Sequence, residues 1–121
     1  MPNILIADDD VSNRSLLRTI AERVGKAIEV SNGEEAIAVM KKQKISLVLA
    51  DNIMQPTGGE EVAEVAMKAR MPYLIITATP DSVSERHKKH TVAKPCSATE
   101  LEKKIYERSH PCAFAMYYTQ A

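Results

Sequence analysis

Five short apolar runs, each followed by a stretch with helical spacing, limit what this chain can fold into. Residues 3–7, 27–31, 46–50, 73–77 and 91–93 read as strands, and residues 12–24, 34–42, 60–70, 81–90 and 97–108 read as helices. The run 46–50 (Ser-Leu-Val-Leu-Ala) is apolar without alternation, as a central parallel strand buried on both faces requires. The run 27–31 is half polar at Glu29 and suits an edge. Leu16, Leu17, Ile20, Ala21 and Val24 share one face of the first helix, with Gly25 as its stop. Ser97 and Glu100 have the spacing of a capping box. The segment 81–90 makes a poor helix, because Val83 is its only strong apolar residue. Strands alternating with helices imply right-handed βαβ units and a doubly wound, five-stranded parallel sheet with helices on both faces.

Polar chemistry is concentrated where the apolar runs end. Asp8 and Asp9 follow the first run, Asp51 the third, Thr77 closes the fourth and Lys94 follows the fifth. In parallel strands these positions emerge together at the carboxyl edge, where open α/β sheets bind ligands. Three carboxylates in one pocket repel each other unless a cation neutralises them. Oxygen-only ligands at a partly solvated site favour Mg²⁺, which accepts carboxylates together with a substrate phosphate. Asp51 is then placed as a nucleophile able to form an aspartyl-phosphate. Lys94 would neutralise charge on the phosphoryl oxygens and Thr77 would donate a hydrogen bond. Pro95 makes the following peptide bond a candidate for the cis form.

Bulk properties exclude other classes. The chain has 121 residues, with sixteen basic and sixteen acidic side chains. That length suits one domain with a real core. Zero formal net charge, with no basic arm or stripe, gives no footprint for nucleic acid. The first residues lack a basic n-region, and no apolar run is long enough for a signal peptide or a membrane span. The cytoplasm is the expected compartment. Cys96 and Cys112 lack metal-type spacing and are expected to be free thiols there.

Taken together, Leu-Ile-Ala-Asp8-Asp9-Asp10 with Arg14, Leu-Ala-Asp51 with Met54 and Gly59, Ile-Ile-Thr77-Ala78 and Ala93-Lys94-Pro95 resemble the receiver domain of bacterial two-component response regulators. The resemblance covers about residues 3–108 and is of the stand-alone, single-domain type. It implies a flavodoxin-like sheet of order 2-1-3-4-5, a receiver domain at 1–109 and an apolar tail at 110–121. It implies Asp51 as phosphoacceptor, with Mg²⁺ held by Asp8, Asp9, Asp51 and the main-chain carbonyl of Ile53. Thr77 and Lys94 would contact the phosphoryl group. The donor would be a histidine kinase or a histidine phosphotransfer protein, and output would pass to a downstream protein or by onward phosphotransfer. Three positions depart from the family pattern. Gln55 intervenes between Met54 and Pro56. Thr91 stands where an aromatic residue usually swings inward on activation. Ile53, at a position that tunes phosphoryl lifetime, cannot orient an attacking water.

Rival readings predict other residues. A receiver-like interaction module that works unphosphorylated would not need the intact site. A metal-dependent phosphatase with an aspartyl nucleophile often carries a general acid two residues on, where this chain has Ile53. A flavin carrier would need a Ser/Thr/Gly-rich loop after the first strand, and three aspartates would repel its phosphate. The run Arg86-His87-Lys88-Lys89-His90 reads as a solvated helix end complementing the dipole, with a partner patch or a His87/His90 metal pair as lesser readings. The tail, with Phe114, Met116, Tyr117 and Tyr118, is apolar enough to pack back on the domain or to support self-association.

Overall fold

The structure, a computed structural model, describes residues 1–110. The elements alternate as expected: β1 Asn3–Ala7, α1 Val11–Ala21, β2 Lys26–Val30, α2 Gly33–Lys42, β3 Leu47–Asp51, α3 Gly59–Lys68, β4 Tyr73–Thr77, β5 Thr91–Ala93 and α4 Ala98–Ser109. The strands form one parallel sheet in the order β2-β1-β3-β4-β5. The expected flavodoxin-like order is therefore present.

Alternation along each strand divides the core in two. Leu5, Ala7, Val48, Ala50, Tyr73 and Ile75 pack with Ala36, Met40, Val62 and Ala66 of α2 and α3. Ile4, Ile6, Leu47, Leu49, Leu74 and Ile76 pack with Leu17, Ile20, Leu101 and Ile105 of α1 and α4. Three helix starts are fixed by side-chain caps, with Asp10 accepting from Asn13 N–H, Asn32 from Glu35 N–H and Ser97 from Glu100 N–H. Each cap satisfies a backbone donor that the first turn leaves without a partner.

Two expectations need correction. Residues 81–90 are not an α-helix. They form two short 3₁₀ turns, Pro80–Ser82 and Glu85–His90. Val83 and Ser84 between them are extended, which breaks any helical ladder. With Val83 and His87 as its buried side chains, the segment has no apolar stripe that would repay a longer helix. The second correction is Leu16, which has the helical spacing of the apolar face but is 60% exposed. The packing of α1 against the sheet buries only Leu17, Ile20 and Ala21 of this helix, and Leu16 falls on the flank. The tail at 111–121 and Cys112 lie outside the described residues, and Cys96 is half-buried.

Candidate phosphoryl and metal site

Strand register brings the chemistry together. Ala7 pairs with Ala50 across β1 and β3, so Asp8 and Asp51 emerge side by side. Thr77 pairs with Ala93, which sets Lys94 beside it, and Lys94 N–H donates to the Thr77 carbonyl at 2.8 Å. One carboxylate oxygen from each of Asp8, Asp9 and Asp51 lies within 4.8 Å of the others. Lys94 Nζ is 3.7 Å from Asp51 Oδ1. All five residues expected from the sequence therefore share one edge. Ile53, the sixth, lies in the loop after β3 with its side chain 65% exposed.

That loop is held close to the site. Met54 is buried as its anchor, and Gly59 N–H donates to the Asn52 carbonyl at 3.1 Å. A Cβ at Gly59 would collide with the carbonyl of Asp51, so α3 can start this near the nucleophile only from glycine. Lys94–Pro95 and Gln55–Pro56 are cis peptide bonds.

The electrostatics of the site favour a cation beside the carboxylates. Burial, followed by the charges of Asp51 and Asp9, raises the Asp8 carboxyl above the usual carboxylate range, against the Asp10 N–H and Lys94. Burial likewise raises Asp51; Lys94 opposes this shift and the charge of Asp9 adds to it. Asp8 Oδ1 accepts from Asp10 N–H at 2.9 Å, whereas Asp8 Oδ2 is buried with no hydrogen-bond partner among the described residues. A buried carboxylate oxygen without a partner is costly. An oxygen-only cluster with one such lone oxygen fits a hard divalent cation. Lys94 alone supplies less positive charge than three carboxylates carry.

Thr77 is buried, and its Oγ1 accepts from Thr79 N–H at 3.0 Å. Its own proton can go to Thr79 Oγ1 at 3.2 Å or to an acceptor at the sheet edge. Other features of the site were not read from the sequence. Arg14 donates from Nη1 to the Asp8 carbonyl at 2.8 Å and pairs with Glu29 at 3.4 Å, pinning the end of β1. Asn52 Nδ2 donates to Ser82 Oγ at 3.4 Å, linking the two loops that flank the site. The spacing Thr77-Ala78-Thr79-Pro80-Asp81-Ser82 carries that signal, as hydroxyls on a loop leaving a strand. The basic run resolves differently from its expected helix end: His87 is fully buried, while Arg86 pairs with Glu64 at 3.3 Å.

The response regulator receiver domain model matches residues 4–106. The chain belongs to the response regulator receiver family. Among curated relatives, a probable transcriptional regulator ycf27 of Pyropia yezoensis is 35% identical over 109 residues, covering 84% of this chain and 45% of that protein. The transcriptional regulatory protein ResD of Bacillus subtilis is 40% identical over 77 residues, covering 62% of this chain and 32% of that protein. This receiver spans less than half the length of these relatives. Among solved structures, the response regulator protein TrrA of Thermotoga maritima, in complex with Mg²⁺-BeF, is 27% identical with a TM-score of 0.77. That match covers 88% of this chain and 98% of TrrA. A CheY-like receiver domain protein of Methanospirillum hungatei, 23% identical with a TM-score of 0.79, shares the fold over 92% of this chain and 95% of its own. This chain is a receiver domain of two-component signalling, and none of its described helices is long and apolar enough to cross a membrane.

Proposed function

We propose that this receiver is a phosphoacceptor switch of the cytoplasm. Asp51 takes a phosphoryl group from the phosphohistidine of a histidine kinase or histidine phosphotransfer protein. Asp8, Asp9, Asp51 and the main-chain carbonyl of Ile53 would hold Mg²⁺. The observation that carries this reading is the buried Oδ2 of Asp8, which has no hydrogen-bond partner among the described residues, beside a half-buried Asp51 paired with Lys94. An Asp51 carboxylate oxygen forms the new O–P bond as the donor P–N bond breaks, and the bonding pair leaves with the imidazole. Held by these residues, Mg²⁺ would supply positive charge for the transferring phosphoryl oxygens. Lys94 meets that charge from the β5 side, and the Thr77 hydroxyl donates to a phosphoryl oxygen from β4. The domain would catalyse only its own phosphorylation and dephosphorylation. Output passes by binding another protein or by onward transfer.

Incubation with acetyl phosphate and Mg²⁺, followed by intact mass measurement, tests the reading. One added phosphoryl group, labile to hydroxylamine, is expected. A protein that keeps its original mass under these conditions would sink the assignment.

A metal test follows from the raised carboxyls. Protonated Asp8 and Asp51 favour the folded state, so this contribution is fully present below the unfolded value near 3.8 and is lost as pH rises through their higher folded values. In EDTA, this contribution to the melting temperature should decline as pH rises through that window. Saturating Mg²⁺ should restore stability at neutral pH, by about 2.7 kcal/mol at a hundred times its dissociation constant. Asp9→Asn should weaken that restoration. A melting temperature indifferent to Mg²⁺ at neutral pH would count against the metal.

The surface around the site suits a protein donor. Val11 and Leu16 of α1 and Ile53 are each 60% exposed or more, and they lie around the carboxyl edge. Beside them, Leu16, Leu17, Ile20, Pro95, Cys96 and Leu101 line an apolar groove of about 230 Å³ that opens next to Lys94. Apolar side chains left in water beside a reactive group mark a docking surface. Leu16→Asp should slow phosphotransfer from a phosphorylated protein donor about tenfold or more. It should leave phosphorylation by acetyl phosphate unchanged. Equal slowing with both donors would place the defect in the site rather than in docking.

A further inference from the structure

His87 and His90 close the connection from β4 to β5, and their partners differ in kind. His87 faces groups that can accept, the Glu64 carboxylate and the Tyr73 hydroxyl, so an imidazolium there would keep both contacts. His90 faces a guanidinium. Arg108 of α4 donates from Nη1 to His90 Nδ1 at 2.8 Å and from Nη2 to the Lys89 carbonyl at 3.2 Å. A guanidinium can only donate, so His90 Nδ1 offers a lone pair and the neutral ring carries its proton on Nε2. The ring is half-buried, and its centroid lies 4.5 Å from that of Tyr73.

We propose that His90 is a proton-sensitive clasp, which ties the turn Glu85–His90 to α4 while neutral and releases Arg108 when protonated. The inference does not draw on the reading of Asp51. Protonation of Nδ1 removes the acceptor and sets an imidazolium against a guanidinium. The other charged or titratable neighbours are Lys89 and His87 on the turn, Tyr73 on β4, Arg70 after α3 and Glu107 on α4. Glu64 of α3 is taken up by His87 and Arg86. Glu107 is the one carboxylate in the groove that His90 lines, against Arg70 and Arg108. Burial, then Arg108, Lys89 and His87, hold the imidazole below histidine's ordinary 6.5. The clasp therefore contributes fully above 6.5, and its contribution is lost as pH falls from there through the lower folded value. A protein docked across the turn and α4 would meet an ordered face above that window and a loosened one below it.

Histidine NMR of the full chain, from about pH 8 down to about pH 5, reads the clasp directly. At neutral pH His90 should be the Nε2–H tautomer, and its midpoint should lie below 6.5. Arg108→Gln keeps a donor without the charge and should raise that midpoint. Amide protection is taken at each pH as the ratio to the unstructured rate. In residues 85–91 and 105–109 it should fall about two- to tenfold, relative to β1 and β3, as His90 protonates. The side-chain carbonyl of His90→Gln can still accept from Arg108 but does not titrate. That variant should keep its protection at neutral pH and lose the acid response, which a merely structural role would not require. A midpoint at or above 6.5, an Nδ1–H tautomer, or the same acid response in His90→Gln would overturn the inference and leave Asp51 as phosphoacceptor.

Discussion

Asp51→Asn should lower phosphorylation to background, a loss of at least about 10³-fold in initial rate. The amide is nearly isosteric but offers no carboxylate nucleophile, and no second carboxylate can replace it. Asp8 is fully buried and held by the Asp10 N–H, and Asp9, though exposed, lacks the Lys94 contact. The same substitution should stabilise the metal-free protein at neutral pH. Asp51 has its carboxyl raised mainly by burial, so its ionised form costs folding free energy above that raised value. Asparagine removes this cost and also relieves the repulsion by which the Asp51 charge raises the Asp8 carboxyl. Below the unfolded carboxylate range the two proteins should have nearly equal melting temperatures. The opposite signs distinguish loss of the nucleophile from simple misfolding. Intact mass after acetyl phosphate treatment, and melting curves in EDTA across pH, measure both. Phosphorylation of Asp51→Asn at the parent rate would mean that another residue is the acceptor.

The site was legible in the sequence because its geometry is inherited from the strands. Once five parallel strands are recognised, a residue following the last strand position has only one place to go. Asp8, Asp51 and Lys94 follow from register alone, as the pairs Ala7–Ala50 and Thr77–Ala93 show. Segment 81–90 was not legible, because what fixes it comes from distant elements. Glu60 of α3 accepts from Ser84 N–H, Glu64 of α3 and Tyr73 of β4 hold His87, and Thr91 donates to the His87 carbonyl. A local reading saw a run of charges with one apolar residue and extended it into a helix. The exposure of Leu16 was hidden for a related reason. Spacing marks which residues share a helix flank, but only the packing of α1 against the sheet decides how wide the buried stripe is. Lone hydroxyls such as Ser82 carry no pattern until a neighbour within hydrogen-bond distance gives them a role.

His87→Ala should be among the most destabilising single substitutions in the domain. The ring is fully buried, with Nδ1 2.6 Å from Tyr73 Oη and Nε2 3.0 Å from Glu64 Oε1. The Glu64 carboxylate can only accept, so Nε2 carries a proton and Nδ1 accepts from the tyrosine hydroxyl. Burial, and then the charge of Glu64, raise the Tyr73 hydroxyl, which keeps the proton it donates. Tyr73 also meets the His87 ring edge-on at 5.5 Å and the His90 ring at 4.5 Å. Alanine would leave a cavity and a buried hydroxyl without its acceptor. Together these cost about 3–5 kcal/mol, against a total stability of about 5–15 kcal/mol for an ordinary domain. The melting temperature should fall by more than about 10 °C. Replacing both partners, as Tyr73→Phe with His87→Leu, should recover much of the loss, because removing donor and acceptor together leaves no buried polar group without a partner. Tyr73 opens β4 and Thr77 closes it, so the imidazole anchors the segment from the edge opposite Asp51. At temperatures where His87→Ala remains folded, acetyl phosphate should still modify Asp51, while amide exchange in residues 84–91 speeds up relative to the rest of the sheet. A melting temperature within about 3 °C of the parent would mean that the segment is held by its backbone contacts and by Val83, and that the histidine contributes little.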